Sequence, residues 1–272
     1  MPDWPDCHAN LPPDHILGTR GRAEAGLGER RAGKGTREPL LGGQGKAVTR
    51  IWKRALLGLT GLALIMAVLL FLPAWSLAWW EAWLYWVVFL GASLFVTLHF
   101  LRRDPELIER RLTAGPGAEQ ERSQQVIQSA LSLVFAALLL VPGFDHRLHW
   151  SAVPLPMALV ADAFVAAGFW LIFRVFSENS YASNTVRVEA GQEVISTGPY
   201  RFVRHPMYSG GLVLFVFTPL ALGSWWAFAP GVLLCCGAVA RLLEEERFLT
   251  AHLVGYAEYR EKVQRRLIPF VW

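Results

Sequence analysis

The residues best suited to chemistry fall in two short runs. The first is Gly198-Pro199-Tyr200-Arg201-Phe202-Val203-Arg204-His205-Pro206-Met207-Tyr208. Pro206 suits the first turn of a helix, where its missing N–H is not needed. Such a helix start presents free amides and a partial positive charge. With Arg204 and His205 beside it, this is a place for a carboxylate or a phosphate. The same residue types would also serve as an interfacial anchor, since Arg, His and Tyr belong at headgroup depth. The second run is Arg241-Leu242-Leu243-Glu244-Glu245-Glu246. Arg241 and Glu245 are four apart, so on a helix they share a face and can pair. Three consecutive acids at a helix exit invite a cationic partner, although alone they read more readily as a solvated helix end with one salt bridge.

An apolar hairpin joins the two runs. Two apolar runs fill residues 208 to 243 as far as Arg241, broken at Gly223 and Ser224 and followed there by Trp225 and Trp226. Two spans closed by a turn there bring residues 204–208 beside residues 241–246. The joined site has an anion-seeking half (Arg204, His205, the helix amides) and a cation-seeking half (Glu245, Glu246). A ligand with a zwitterionic amino acid moiety satisfies both.

The elements that must position this site are helices in a membrane. The chain of 272 residues is 53% hydrophobic and only 18% charged, whereas a soluble domain keeps about a quarter of its residues charged. Six apolar runs are expected to span: Ala55–Leu72, Trp79–Leu101, Val126–Val141, Ala152–Phe176 and two within Tyr208–Leu243. Pro73 and Pro142 are expected to stop the first and third. Residues 1–46, rich in Gly, Pro, Arg and Glu, read as a disordered basic tail. Residues 47–175 carry the first four spans, and residues 176–272 form the catalytic region. Within that region VRVEAGQEVI suggests a short hairpin around Ala190-Gly191. Glu244 to Val263, with Leu249, Leu253, Tyr256 and Tyr259 at helical spacing, reads as a cytoplasmic amphipathic helix. The expected fold is thus an all-α polytopic membrane bundle.

Charge gives the orientation. With six spans, 25 of the 26 lysines and arginines fall on one face and only Arg147 on the other. Both termini are then cytoplasmic, by the excess of basic residues inside. Trp75, Trp79, Trp80, Trp150, Trp225 and Trp226 would form an aromatic belt at the opposite interface. Because the basic residues flank apolar runs instead of forming one stripe, nucleic acid is not the expected partner. The three cysteines, Cys7, Cys235 and Cys236, have neither disulfide nor zinc spacing.

GPYRFVRHPMY, then RLLEEERFL, then GYAEYREKVQRRLIPFVW resembles the isoprenylcysteine carboxyl methyltransferase family, and phospholipid N-methyltransferases are similar over the same region. The Arg-His-Pro-x-Tyr motif matches Arg204, His205, Pro206 and Tyr208, and the Glu pair preceded by Arg matches Glu245, Glu246 and Arg241. The resemblance implies S-adenosylmethionine as methyl donor, held on the cytoplasmic side by Tyr200, Arg204, His205, Pro206, Tyr208, Glu245 and Glu246. It also implies a lipophilic or lipidated acceptor entering from the bilayer, with Arg241 orienting an acceptor carboxylate or fixing Glu245. The Gly-x-x-Tyr-x-x-Tyr spacing of such proteins is shifted here to Gly255-Tyr256-x-x-Tyr259.

Three further groups have weaker signals. Asp162 lies mid-membrane, where an acid is costly and by default functional. Asn179, just after the fourth span, sits where similar proteins have a polar residue near the donor. Asp145, His146 and His149 resemble a metal group but lack a fourth ligand, so no metal is expected. Two other functions fit parts of the pattern. Lipid and sterol reductases look similar in this region but use NADPH, whose phosphates want more cations than Glu244–Glu246 leave. A transporter or scaffold would need polar residues in several spans, and only Asp162 answers.

Overall fold

The computed structural model describes residues 41–112, 122–181, 192–269 and 271–272. All regular structure among them is helical, with no strand. Eight α-helices follow in order: α1 (Leu41–Ala74), α2 (Trp80–Arg103), α3 (Pro105–Leu112), α4 (Arg122–Leu148), α5 (Leu155–Glu178), α6 (Pro206–Ala221), α7 (Phe228–His252) and α8 (Tyr256–Lys262). A 3-10 turn at Gly198–Arg201 precedes α6. The expected tail, apart from the start of α1, and the expected hairpin at Ala190-Gly191 lie outside the described residues.

Four segments are long and apolar enough to cross a membrane: Val48–Ala74, Trp80–Arg103, Gln125–Leu148 and Leu155–Glu178. At about 1.5 Å per residue, the shortest of these reach about 36 Å, beyond the roughly 30 Å of a hydrocarbon core. Large apolar side chains such as Leu57 (72% exposed) and Leu133 (74%) point away from the core, which water would penalise and lipid would not. The chain is therefore an integral membrane protein. The other two expected spans differ from these four. Helix α6 has 16 residues, or about 24 Å, and α7 is charged over its second half from Arg241 on.

The first span ends where Pro73 was expected to end it, but the third does not stop at Pro142: α4 continues to Leu148. Packing overrides the proline. At Gly143 the two helices are so close that a Cβ would lie 2.5 Å from Pro73 Cγ. One turn beyond the proline, buried Asp145 accepts hydrogen bonds from Ser151 N and Oγ and from Ser224 Oγ. Asp145 is thus a clamp that ties the end of α4 to the α6–α7 turn, and His146 stacks on Trp79 at 4.8 Å. Trp225 completes the tie, its indole donating to Ala152 O. The α6–α7 hairpin therefore reaches the same end of the bundle as α4 and α5, although α6 has only 16 residues. Five of the six belt tryptophans are exposed at that end; Trp79 is buried instead.

Two apolar cores stack along the bundle. Met66, Leu70, Tyr85, Leu139 and Val165 fill the end near the clamp, and Ile51, Phe100, Leu107 and Val175 the other. Helix α3 anchors into the second. Asp104 caps it by accepting from Leu107 N, Pro105 opens it, and Leu107 and Ile108 are buried. Helices α5 and α6 meet at Gly168 and Gly210, where a Cβ on either would come within 3.1 Å of the other's carbonyl oxygen. Small residues permit such close backbone approach between membrane helices. This contact sets the beginning of α6 beside the end of α5.

The expected single helix from Glu244 to Val263 is two pieces, because the chain turns at Gly255 with φ +84°. Its apolar positions still act together: Leu253, Tyr256 and Tyr259 are buried in one cluster with Leu249 and Val194. The break folds α8 back against the start of α6.

Candidate active site

At the end of the bundle away from the clamp, the start of α6, the charged half of α7, the end of α5 and the residues before α8 enclose a cavity of 320 Å³. Helix α6 begins at Pro206, with His205 as the residue before it. The backbone there is pinned by the C-terminal segment: Arg204 N donates to Arg265 O at 2.9 Å and His205 N to Arg266 O at 3.0 Å. Ser209 Oγ donates to Leu267 O at 2.6 Å. The two amides just before the helix are therefore taken by the protein itself. Pro206, Met207 and Tyr208, its first turn, line the cavity.

The two adjacent acids of α7 have different tasks. Glu246 is buried, and its carboxylate receives Arg204 Nε at 2.6 Å and Arg266 Nε at 2.9 Å. His205 Nε2 lies 3.5 Å from the same carboxylate. Burial alone would raise its pKa, but hydrogen bonds from His205, Arg266 and Arg204, and the charge of Arg204, hold it well below the usual carboxylate range. Arg204 is itself buried and also donates to Val263 O at 2.7 Å. Glu245, one residue earlier and so about 100° around the helix, lines the cavity instead. It accepts from Tyr208 OH at 2.7 Å. Arg241 also acts on that hydroxyl, so Arg241 and Glu245 both bear on one phenol.

Tyrosines form another part of the wall. Tyr200 OH accepts from Asn179 Nδ2 at 2.9 Å, and Tyr259 OH donates to Tyr200 O at 2.6 Å. Burial pushes the Tyr200 phenol up to about 12, with the Asn179 hydrogen bond opposing and the charge of Glu245 adding. Tyr256, whose hydroxyl is 3.4 Å from His205 Nε2, is likewise pushed up, by burial first and then by Glu246 and Glu245. These phenols stay protonated near neutral pH and can donate. Asn179 Oδ1 accepts from Tyr181 N at 2.9 Å, so the asparagine shapes the chain leaving α5 as well as reaching the cavity.

Of the expected site residues, Asn179, Tyr200, Arg204, His205, Pro206, Tyr208, Arg241 and Glu245 line the cavity, while Glu246 lies behind it. Asp162 is elsewhere. It is 17 residues back along α5, about 25 Å from Asn179, buried near Tyr85 with neither carboxylate oxygen hydrogen-bonded. The described residues contain no group of three or more His, Cys, Asp or Glu that could hold a metal. The sequence reading missed Arg266, whose only signal would be its charge, since it meets Glu246 through the return of the C-terminal segment. It gave Tyr256 and Tyr259 an apolar role alone, although their hydroxyls reach His205 and Tyr200.

No curated protein sequence matches the chain. The segment from early α5 to the end of α7 holds every expected site residue, and it is this segment, residues 157–254, that matches the family model of the phospholipid methyltransferases.

Proposed function

We propose that the protein transfers a methyl group from S-adenosylmethionine to a lipophilic acceptor at the cytoplasmic face of a membrane. The observation that carries this reading is the cavity, built mostly by a segment that matches a methyltransferase family and offering groups of both signs. Glu245 faces it with a carboxylate, while His205, Arg241 and the first turn of α6 offer donors and positive potential. That donor set fits a zwitterionic amino acid group. The faces of Tyr200 and Tyr256 suit a neighbouring cation.

S-adenosylmethionine, when bound, supplies an activated methyl group on a sulfonium. The chain's own part is to position and to exclude water. Glu245 holds an ammonium and is itself oriented by Tyr208. His205, fixed by Glu246 and Tyr256, and Arg241 hold a carboxylate. Pro206 sets the start of α6. Glu246, from behind the cavity, and Arg204, at its wall, keep His205 in register. Holding acceptor and donor in line supplies most of the acceleration of a direct displacement, so no nucleophilic side chain is required. The acceptor is a lipid headgroup or an isoprenylcysteine-like carboxylate.

We also read the α6–α7 hairpin as two further spans, with both termini and the cavity cytoplasmic. The excess of basic residues on one face supports this, as does the tie between the α6–α7 turn and the far ends of α4 and α5. Binding of labelled S-adenosylmethionine and of NADPH to the purified chain tests the function. Saturable binding of the first, with transfer of label to vesicle lipid, is expected. Binding of NADPH alone would overturn it in favour of a reductase.

A further inference from the structure

One wall of the cavity comes from outside the family-matched segment. Gln128 and Leu131, on α4, line it. Leu131 packs on Gly237 of α7 so tightly that a Cβ there would clash with Leu131 Cδ2. Helices α4 and α7 run antiparallel, since the end of α4 and the start of α7 share the Asp145–Ser224 clamp. Gln128, one turn before Leu131, is therefore level with Arg241, one turn after Gly237. It is a polar side chain on a membrane-crossing helix, and its amide oxygen is shielded from solvent without accepting any hydrogen bond. Such an oxygen is expensive in a membrane unless a ligand uses it. Gln128 lines the cavity, and the terminal torsion of glutamine is broad and soft, so its oxygen is free to turn to a ligand there.

We propose that Gln128 reads the headgroup of the methyl acceptor, its oxygen taking a hydrogen bond from an amine N–H. This rests on the methyl-transfer reading of the cavity. The direction of the bond decides the chemistry. A carbonyl oxygen cannot satisfy the lone pairs of a phosphate or carboxylate, so it selects a donor. Methylation of an amine forms an N–CH3 bond as the donor's S–CH3 bond breaks, leaving a thioether and releasing the N–H proton to solvent. Each transfer thus removes one hydrogen that Gln128 can hold, and a fully methylated headgroup offers none. The residue favours the unmethylated acceptor and lets the finished product leave.

The test compares the full chain in detergent with Gln128→Met, which keeps the bulk, and Gln128→Glu, which keeps an acceptor oxygen. The probes are dihexanoylphosphatidylethanolamine and dihexanoylphosphatidylcholine, which differ only at the nitrogen. Their affinities are read from ligand-induced shifts in melting temperature, alongside methyl transfer from labelled S-adenosylmethionine. Wild type should prefer the ethanolamine lipid about three- to tenfold, the value of one hydrogen bond. Q128M should lose that preference with a ligand-free melting temperature no lower than that of wild type, and Q128E should keep it. No preference in wild type, or a preference that survives in Q128M, overturns the proposal whether or not methyl transfer occurs. A preference that depends on Gln128 without any transfer upholds it while refuting the methyltransferase reading.

Discussion

Tyr208 donates its hydroxyl to Glu245 at 2.7 Å across 37 residues of chain. This bond fastens the first turn of α6 to the charged half of α7. It also separates two neighbours that look alike in sequence. Glu245 is held at one oxygen by a neutral phenol and lines the cavity, whereas Glu246 is enclosed by Arg204, Arg266 and His205. The step of about 100° between neighbours on a helix makes one a candidate ligand and the other a keystone.

Glu245→Gln should therefore weaken S-adenosylmethionine binding while leaving the fold intact. Losing a hydrogen bond to a charged group costs about 1.5–3 kcal/mol, or roughly ten- to hundredfold in affinity. Tyr208→Phe should act in the same direction but less, since it only frees the carboxylate to move. Calorimetric titration checks the affinity, and melting of the ligand-free protein checks the fold. A large fall in the ligand-free midpoint with unchanged affinity would make Glu245 structural.

Glu246→Gln should instead lower stability, by about 3–5 kcal/mol, because it leaves Arg204 buried without its counter-charge. The pH dependence follows from the direction of the shift. Glu246 is more acidic folded than unfolded, so its contribution is full above the ordinary carboxylate range, near pH 4.5. It is lost as pH falls below that range toward the folded value. The gap in melting temperature between wild type and E246Q should be constant from pH 8 to about 6 and narrow steadily below about 4.5. A gap that instead widened on acidification would contradict the buried ion pair.

Much of this site was legible because its residues obey local rules. Pro206 marks a helix start, Arg204 and His205 precede it, and Glu245 follows a hairpin that returns it to the same level. The rest depends on contacts that no spacing reveals. Arg266 reaches Glu246 only because Gly255 turns the chain back. The split between Glu245 and Glu246 depends on the rotation of α7 about its axis, which is set by Leu131 against Gly237. The fold followed the same pattern. Apolar runs located the helices, but Pro142 was overridden by the packing of α4 on α1 and by the Asp145 clamp. Trp79, expected at the interface, is buried against His146.

Deleting residues 265–272 should damage the site from behind. The deletion removes the carbonyls that receive Arg204 N, His205 N and Ser209 Oγ, and it removes Arg266 from Glu246. At about 1 kcal/mol for each hydrogen bond, the midpoint should fall by several degrees and donor affinity should drop at least tenfold. Ligand titration and melting of the truncated protein check both. Normal affinity after truncation would show that α6 keeps its start without the C-terminal segment.

Topology can be tested at two exposed positions. In a chain with its native cysteines replaced, Leu77→Cys lies at the clamp end and Val254→Cys beside the cavity, and both native side chains are highly exposed, at 71% and 94%. An impermeant thiol reagent added to intact cells should label the first, and the second only after the membrane is opened. Labelling of both from one side would refute the six-span arrangement.

Asp162 offers the cleanest separation of stability from function. Its carboxyl is buried on α5 among apolar neighbours, near the Tyr85–Thr218 hydrogen bond at 3.0 Å but bonded to neither residue. An unsatisfied buried polar group costs about 1–3 kcal/mol, and a membrane interior supplies no water to relieve it. Asp162→Leu replaces the acid with an apolar side chain of similar length, so it should raise the melting midpoint by several degrees. Because about 25 Å of helix separates the position from Asn179, affinity for S-adenosylmethionine and methyl transfer should both stay within about twofold of wild type. Melting curves and label transfer measured on the same preparation decide the matter. A stabilised variant with normal transfer makes the acid a cost of the fold, whereas loss of transfer with unchanged binding would give Asp162 a part in admitting the acceptor from the bilayer.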